Sequence, residues 1–291
     1  MQRTQGPPRR VVSLVPSTTG SLFDLGLGNS LIAVTDYCIH PEAQLAHLPR
    51  IGGTKNPDIE AIVNLAPDLV FANQEENTPA VVRALEAAGI AVHLSFPKTV
   101  ADALSMLNEI VEVYESRLAS QRVAQLTAEI EQGQQRLPAQ PLTVFVPIWE
   151  DRSGGTPWWM TFNRGTFTHD LLGQAGFANV FAQRERRYPL ASDLGAAKAH
   201  DAAGGDTRYP RVTRDEILAA EPDLILLPSE PYAYSHADVE RIAAALAGAP
   251  AADNGRILSV DGSLLTWPGT RIGRALPALL DLHAEVWAVA A

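Results

Sequence analysis

Glu60–Val70 reads EAIVNLAPDLV, and Asp215–Ile225 reads DEILAAEPDLI. Pro67-Asp68-Leu69 superposes on Pro222-Asp223-Leu224 with a shift of 155 residues (67 to 222), and the same shift carries Glu75 onto Glu230. Each half therefore offers a short helix, a proline turn, a strand, and a glutamate just beyond the strand's C-terminal end. A Pro-Asp-Leu turn alone is a common way to pass from helix to strand. The matching glutamates at one offset favour a two-lobe chain. Open α/β sheets bind ligands at the carboxyl ends of their strands, so the expectation is two such edges facing across a cleft.

The segments around these stretches extend the pattern. Val11–Val15 is a β-branched run bounded by Pro16 and reads as a buried strand. Ser17 is placed to cap a helix over 18–25 that Gly26 and Gly28 end. Short strands are expected at 31–35, 68–72 and 90–94, with helices at 59–65 and 79–88 between them. Strands alternating with helices mean parallel α/β units. After Pro141 the alternation resumes, with strands at 142–146, 223–227 and 256–260 and helices at 168–175, 214–220, 237–246 and 271–289. The stretch 184–212, rich in Ala, Gly, Asp and Arg, reads as a surface insertion.

Between the halves the pattern changes. No proline occurs from Thr99 to Leu137, and Thr99 with Asp102 has capping-box spacing. Val100, Ala103, Leu104, Leu107, Ile110, Val111, Tyr114, Leu118, Leu126 and Ile130 fall on one helical face. One helix over 99–137 would be ~58 Å long, enough to run from one domain into another. A break is allowed near 117–120. The fold class is thus α/β: two parallel-sheet lobes, 9–98 and 141–291, bridged by a long helix over 99–137.

Composition narrows the function. The 291 residues are 46% hydrophobic and 19% charged, as a globular chain with a real core requires. Lys and Arg total 23 against 33 Asp and Glu, a formal charge of −10. That acidity disfavours nucleic-acid binding, which depends on clustered positive charge. With Cys38 the single cysteine, neither an intrachain disulfide nor a Cys-rich zinc site is possible. No apolar run reaches the roughly 20 residues that span a bilayer, so membrane insertion is not expected. The start of the chain does not read as an export signal. Either the protein is cytoplasmic or a leader has been removed.

VVSLVPSTTGSLFDLGLG at 11–28, IGGTKNPDIEAIVNLAPDLVFANQEEN at 51–77, the long helix, DLILLPSEPY at 223–232 and LSVDGSLLTWPGTRIGRAL at 258–276 resemble, in order and spacing, the substrate-binding proteins of ABC importers for vitamin B12, ferric siderophores and haem. The resemblance runs from Val11 to about Trp287. It implies two α/β lobes on a helical backbone, capture of a metal chelate between them, delivery to a membrane permease, and no resident cofactor. A monomer in the periplasm or at the cell surface is the expectation it carries.

A large, partly flat ligand calls for aromatic faces. Trp149 through Phe162 and Trp267 are read as loop segments after strands, which makes Trp158, Trp159, Phe162 and Trp267 cleft candidates; packing between lobes is the alternative. Tyr37 stands where the B12-binding relatives place a ligand-contacting tyrosine, and Tyr232 lies in the matching stretch of the second half. Pro16, Ser17 and Thr18 lie at a helix N-terminus that would welcome an anionic ligand group. Lys55, Asn56, Asn73, Arg152, Arg164 and Arg271 are polar candidates, each weighed against a solvated surface role. Cys38 and His40 form a C-x-H pair and are the weak candidates for metal ligation; a lone cysteine is more often a small buried hydrophobe. His47, His93, His169, His200, His236 and His283 show no metal-binding spacing.

By resemblance, Glu75 or Glu76 and Glu230 dock onto the permease. The alternative is that they face the cleft. An enzyme is disfavoured, since phosphate-loop, dinucleotide and nucleophile-elbow motifs are not found. A cytoplasmic carrier or sensor on the same fold is the other reading. The aromatic segments favour a tetrapyrrole or corrinoid over an anionic catechol siderophore.

Overall fold

A computed structural model describes residues 6–198 and 204–290. His200 lies outside the described residues. The chain forms two compact units. One comprises Met1–Ile130 with Trp267–Gly273, the other Glu131–Thr266 with Arg274–Ala291.

The first unit is built on a parallel sheet of β1 (Val11–Ser13), β2 (Leu31–Val34), β3 (Leu69–Asn73) and β4 (Val92–Ser95), in the order β2-β1-β3-β4. Every residue of β1 and β3 is buried. A parallel sheet covered on both faces demands such continuous apolar strands. Val12, Leu14, Ala33, Ile62, Val70, Val82 and Leu85 make its core.

The second unit carries a parallel sheet of β5 (Leu142–Phe145), β8 (Phe177–Asn179), β10 (Leu224–Pro228) and β11 (Ile257–Val260), in the order β11-β10-β5-β8. In both units the first strand lies between the second and the third, and the fourth flanks the third. The internal echo in the sequence is therefore a repeat of topology. It extends to the backbone: Ala66 and Glu221, one residue before each proline, are both left-handed, at φ 44° and 45°. It extends to the side chains too. Asp68 accepts from the backbone N–H of Arg9 and Arg10, at 2.8 and 2.9 Å, just before β1. Asp223 accepts from the N–H and hydroxyl of Thr143 on β5, at 3.0 and 2.6 Å.

The stretch 99–137 is helical, but as two segments, Val100–Tyr114 and Arg117–Gln134. The capping box forms: the Asp102 N–H donates to Thr99 Oγ1 at 3.0 Å, and the Thr99 N–H to Asp102 Oδ2 at 3.1 Å. Glu115 ends the first segment in the left-handed conformation, φ 49°. The Ser116 hydroxyl then accepts the Ala119 N–H at 3.2 Å and starts the second. The interruption rotates the buried face. Ala119, Val123, Leu126 and Ile130 are buried after it, while Leu118, expected on that face, is exposed.

The second unit also holds a three-stranded antiparallel sheet, β6 (Trp149–Asp151), β7 (Trp158–Met160) and β9 (Arg211–Thr213), in the order β6-β7-β9. This corrects the reading of 149–162 as a loop: Trp149, Trp158 and Trp159 sit on strands. It also corrects the reading of 184–212 as a surface insertion. The wholly buried Asp193 carboxylate pairs with Arg184 at 3.0 Å and Arg211 at 2.7 Å, both largely buried. It accepts the backbone N–H of Arg187 and Arg211 as well, each at 2.9 Å. No sequence periodicity signals an ionic knot of this kind.

Removing the central charge leaves the buried Arg211 guanidinium without its carboxylate partner, while Arg184 keeps Glu216 at 3.0 Å. Asp193→Ala is expected to cost about 3–5 kcal/mol. Denaturant unfolding checks this; a loss under about 1 kcal/mol would mean the knot is solvated.

Candidate functional site

In the first unit the helix after β1 and the loop after β2 both meet the 267–273 segment. The helix Pro16–Asp24 starts with proline at its first position, where the missing N–H costs nothing. Ser17 does not cap it. Val15 holds the cap position, and Ser17 and Thr18 are buried in the first turn. The expectation of Pro16, Ser17 and Thr18 as an open anion-binding terminus loses its accessible hydroxyls.

The loop after β2 is held from beneath. Arg50 Nη1 donates to the carbonyls of Thr35 and Cys38 at 2.9 and 2.7 Å, and the Asp36 N–H to the Gly52 carbonyl at 2.9 Å. Cys38 is 0% exposed, with its sulfur 3.2 Å from both Thr19 Oγ1 and Thr35 Oγ1. Burial pushes its thiol pKa up against these hydrogen bonds and Arg50. Cys38 is thus structural, which corrects its candidacy as a metal ligand. Its neighbours face outward: Tyr37 is 63% exposed, Ile39 51%, and His40 is exposed.

Trp267 packs in this same unit. A Cβ on Gly20 would lie 3.7 Å from its ring. The ring sits 6.1 Å from His40, tilted by 56°, and the Arg271 guanidinium lies 4.7 Å over it. Gly269, at φ 126°, lets the segment turn tightly against Ser21, a conformation a side chain would strain. The Thr270 hydroxyl donates to Asp24 at 2.7 Å and fastens it. Trp267 itself is buried, 8% exposed, and its ring lies behind His40 and Arg271.

The loop after β3 serves the scaffold. Asn73 is buried; its side chain accepts the Glu75 N–H at 2.7 Å and donates to Ser95 at 3.3 Å. Expected as a ligand residue, it is instead buried and engaged by these scaffold bonds. Asn77, which sequence reasoning passed over, takes the Asn73 N–H at 2.8 Å and donates to the Thr54 carbonyl at 2.8 Å. Its carboxamide accepts through the oxygen and donates through the nitrogen, and nothing in a lone asparagine announces it. Lys55 is exposed and donates to the Glu75 carbonyl; Asn56 is exposed beside Gly53. Glu75 and Glu76 are half-buried. Burial raises the Glu76 pKa, opposed by Lys55 and Thr54.

In the second unit the pleat of β7 divides the aromatic candidates. Trp159 faces the core with Phe145, Val212 and Ile225 and is 0% exposed. Phe162 is buried as well. Both were expected on a ligand surface, and both are core residues; successive strand residues point to opposite faces, so Trp158 emerges half-buried. Trp149, on the same face as Trp158, is 49% exposed and meets Tyr232 edge-on at 5.4 Å; Tyr232 in turn lies 4.5 Å from Tyr234. Beneath them the buried Glu150 pairs with both Arg241 nitrogens, at 2.6 and 2.8 Å. Glu230 is half-buried, accepts the Thr266 hydroxyl at 3.1 Å, and packs on Gly262, where a Cβ would have no room. Arg152 and Arg164 are exposed.

The Cys38 geometry gives a direct test. Ellman's reagent is expected to leave the folded protein unmodified at pH 8 and to titrate one thiol in denaturant. Prompt reaction of the native protein would place Cys38 at the surface.

Among the described residues no helix is long and apolar enough to cross a membrane. The pattern of a family described as "Periplasmic binding protein" matches residues 11–264. The chain is 25% identical over 236 residues to a vitamin B12-binding protein of Vibrio cholerae serotype O1, covering 79% of this chain and 74% of that one. It is 25% identical over 224 residues to the vitamin B12-binding protein of Photorhabdus laumondii, covering 76% and 70%. Among solved structures it is similar to the periplasmic heme-binding protein RhuT from Roseiflexus sp. RS-1, with a TM-score of 0.76 and 21% identity over 97% of this chain and 99% of that one. The periplasmic vitamin B12 binding protein BtuF of Vibrio cholerae gives a TM-score of 0.75 and 21% identity, covering 97% and 98%. Repeated topology, carboxyl-edge surface and matched length agree, and the chain belongs to the periplasmic binding protein family.

Proposed function

We propose that the protein is the substrate-binding component of an ABC importer. It captures a metal chelate with a flat, partly apolar body, of the corrinoid or haem kind, and presents it to a membrane permease. The exposed aromatic loop after β2, braced by Arg50 and adjoining the Trp267–Arg271 stack, carries this reading. Preorganised aromatic side chains bind flat ligands with little conformational entropy left to lose. The vitamin B12-binding relatives and the heme-binding structural neighbour support the chelate class.

The protein binds and releases its ligand unchanged; it is not a catalyst. It works outside the cytoplasmic membrane as a monomer. Glu75, Glu76 and Glu230 are the proposed permease contacts. Charges at such rims set encounter rate and register more than affinity. Tyr37, Trp267 and Arg271 are the proposed ligand contacts in the first unit, with Lys55 and Asn56 at its margin. Trp158 and Tyr232 are those in the second unit, joined there by Trp149.

The test is a titration of cobalamin, cobinamide and hemin into the protein, followed by tryptophan fluorescence. Saturation by one of them well below ~100 μM is expected. Tyr37→Ala, at an exposed position, is expected to weaken that binding about tenfold or more while the melting temperature stays unchanged. Failure of all three chelates to bind would overturn the ligand class, and unchanged affinity in the variant would move the site off this loop.

A further inference from the structure

We propose that a groove on the second unit, lined by none of the residues assigned above to chelate or permease, binds small lipophilic amines in their ammonium form. The groove lies between the helices Gly262–Thr266 and Ile272–Ala290, at the end of β11, and has a volume of about 280 Å³. The short helix is pinned by its polar groups. Asp261 Oδ1 accepts the Ser263 N–H and hydroxyl at 2.9 and 2.7 Å, and the Gly262 N–H donates to Ser229 Oγ at 3.0 Å. The Thr168 hydroxyl donates to the Leu265 carbonyl at 3.0 Å. The long helix turns Ala278, Asp281, Leu282 and Glu285 toward the groove, at the i, i+3, i+4 and i+7 positions of one face. The groove is thus formed by elements already locked in place.

Its walls are apolar and its rim is acidic. Leu264 and Leu282 are half-buried, and Leu265 and Leu279 are buried beside them. An alkyl or aryl body laid along these leucines would remove apolar area from water. Three of the nine lining residues are acidic, Asp261, Asp281 and Glu285, and none is basic. Asp281 and Glu285 stand one helical turn apart, where like charges repel. Arg136 pairs with Asp281, but the two side chains are 52% and 60% exposed, so solvent screens the pair and leaves it weak. The rim therefore favours a cation while the walls favour an apolar body, and a lipophilic ammonium satisfies both. Size separates a small molecule from a protein partner. Specific protein interfaces bury roughly 800 Å² on each side. Ala278 to Glu285 spans only about 10 Å of helix axis. Small-molecule sites begin near roughly 300 Å³, which this groove approaches.

The experiment titrates the whole protein, its leucine methyl groups labelled with carbon-13, with n-octylamine, n-hexylamine, 1-octanol and octanoate at pH 7, each below its micelle concentration. Octylamine is expected to give saturable shifts at the methyls of Leu264, Leu265, Leu279 and Leu282. It should bind about fifteenfold more tightly than hexylamine, at about fourfold for each methylene buried. Octanol should bind more weakly than octylamine, and octanoate most weakly. Glu285→Gln should weaken octylamine about two- to fivefold, the worth of an exposed ion pair, and leave octanol unchanged. Ala278→Phe, at an exposed position, should fill the groove and block both. Thermal melting checks the fold of each variant, and if Ala278→Phe melts early, Glu285→Gln decides. Octanol or octanoate binding as tightly as octylamine would overturn the proposal, as would octylamine affinity unchanged by Glu285→Gln. So would shifts that lie elsewhere or persist in folded Ala278→Phe, or no saturation by octylamine. A lysine- and leucine-rich helical peptide that shifts these methyls where octylamine does not would give the groove to a protein partner and overturn it too. Each of these outcomes leaves the chelate reading untouched.

Discussion

Each unit depends on one junction, in which a left-handed residue, a proline and an aspartate lead into the sheet's third strand. Ala66-Pro67-Asp68 precedes β3, and Glu221-Pro222-Asp223 precedes β10. The aspartate carboxylate ties itself to the first strand, at Arg9 and Arg10 in one unit and at Thr143 in the other. In both, the aspartate N–H also donates to a backbone carbonyl at the start of the first strand, at 2.7 Å to Arg10 just before β1 and 3.0 Å to Thr143 on β5. The register between these two strands is fixed at their amino ends. Register is otherwise weakly specified in a strand buried on both faces, where a one-residue slip exchanges one apolar side chain for another.

Fixing the amino ends decides where the carboxyl ends fall, and with them the loops. The helix Pro16–Asp24 springs from β1, and the Tyr37–His40 loop from β2. Buried groups then take up the loops' own backbone polarity: Arg50 and Cys38 under the one, Asn73 and Asn77 under the next. With those polar groups satisfied internally, the outward side chains are left for a ligand. Glu76 shows the cost of this arrangement. Its carboxylate is desolvated enough to raise its pKa, with Lys55 and Thr54 as partial relief.

Much of the fold was legible because its signals are local or periodic. The 155-residue echo exposed a repeat that proved to include topology and backbone conformation. The capping box at Thr99 formed as its spacing required. The helix break allowed near 117–120 falls just before that stretch, at Glu115; its place escaped periodicity because Glu115 is not a glycine, and nothing in its type announces a left-handed turn. The small antiparallel sheet escaped because its strands are three residues long, too short for alternation to register. The site was less legible. Aromatic type suggested Trp158, Trp159, Phe162 and Trp267 together, but Trp158 alone of the four emerges half-buried and the other three are buried; burial is set by the pleat of β7 and by long-range packing. Trp267 was read with the second half, yet it folds with the first unit. Cys38 and His40 looked equivalent in sequence, and the hydrogen bonds of Thr19 and Thr35 made one a scaffold and left the other exposed.

The central claim is that the braced loop after β2 and the Trp267–Arg271 stack form the ligand-contacting surface of the first unit. Crystallising the protein with cobinamide or hemin tests it most directly. The account predicts ligand density against Tyr37, His40 and Trp267, with Cys38 still buried beneath. Density elsewhere, with that loop facing open solvent, would contradict it.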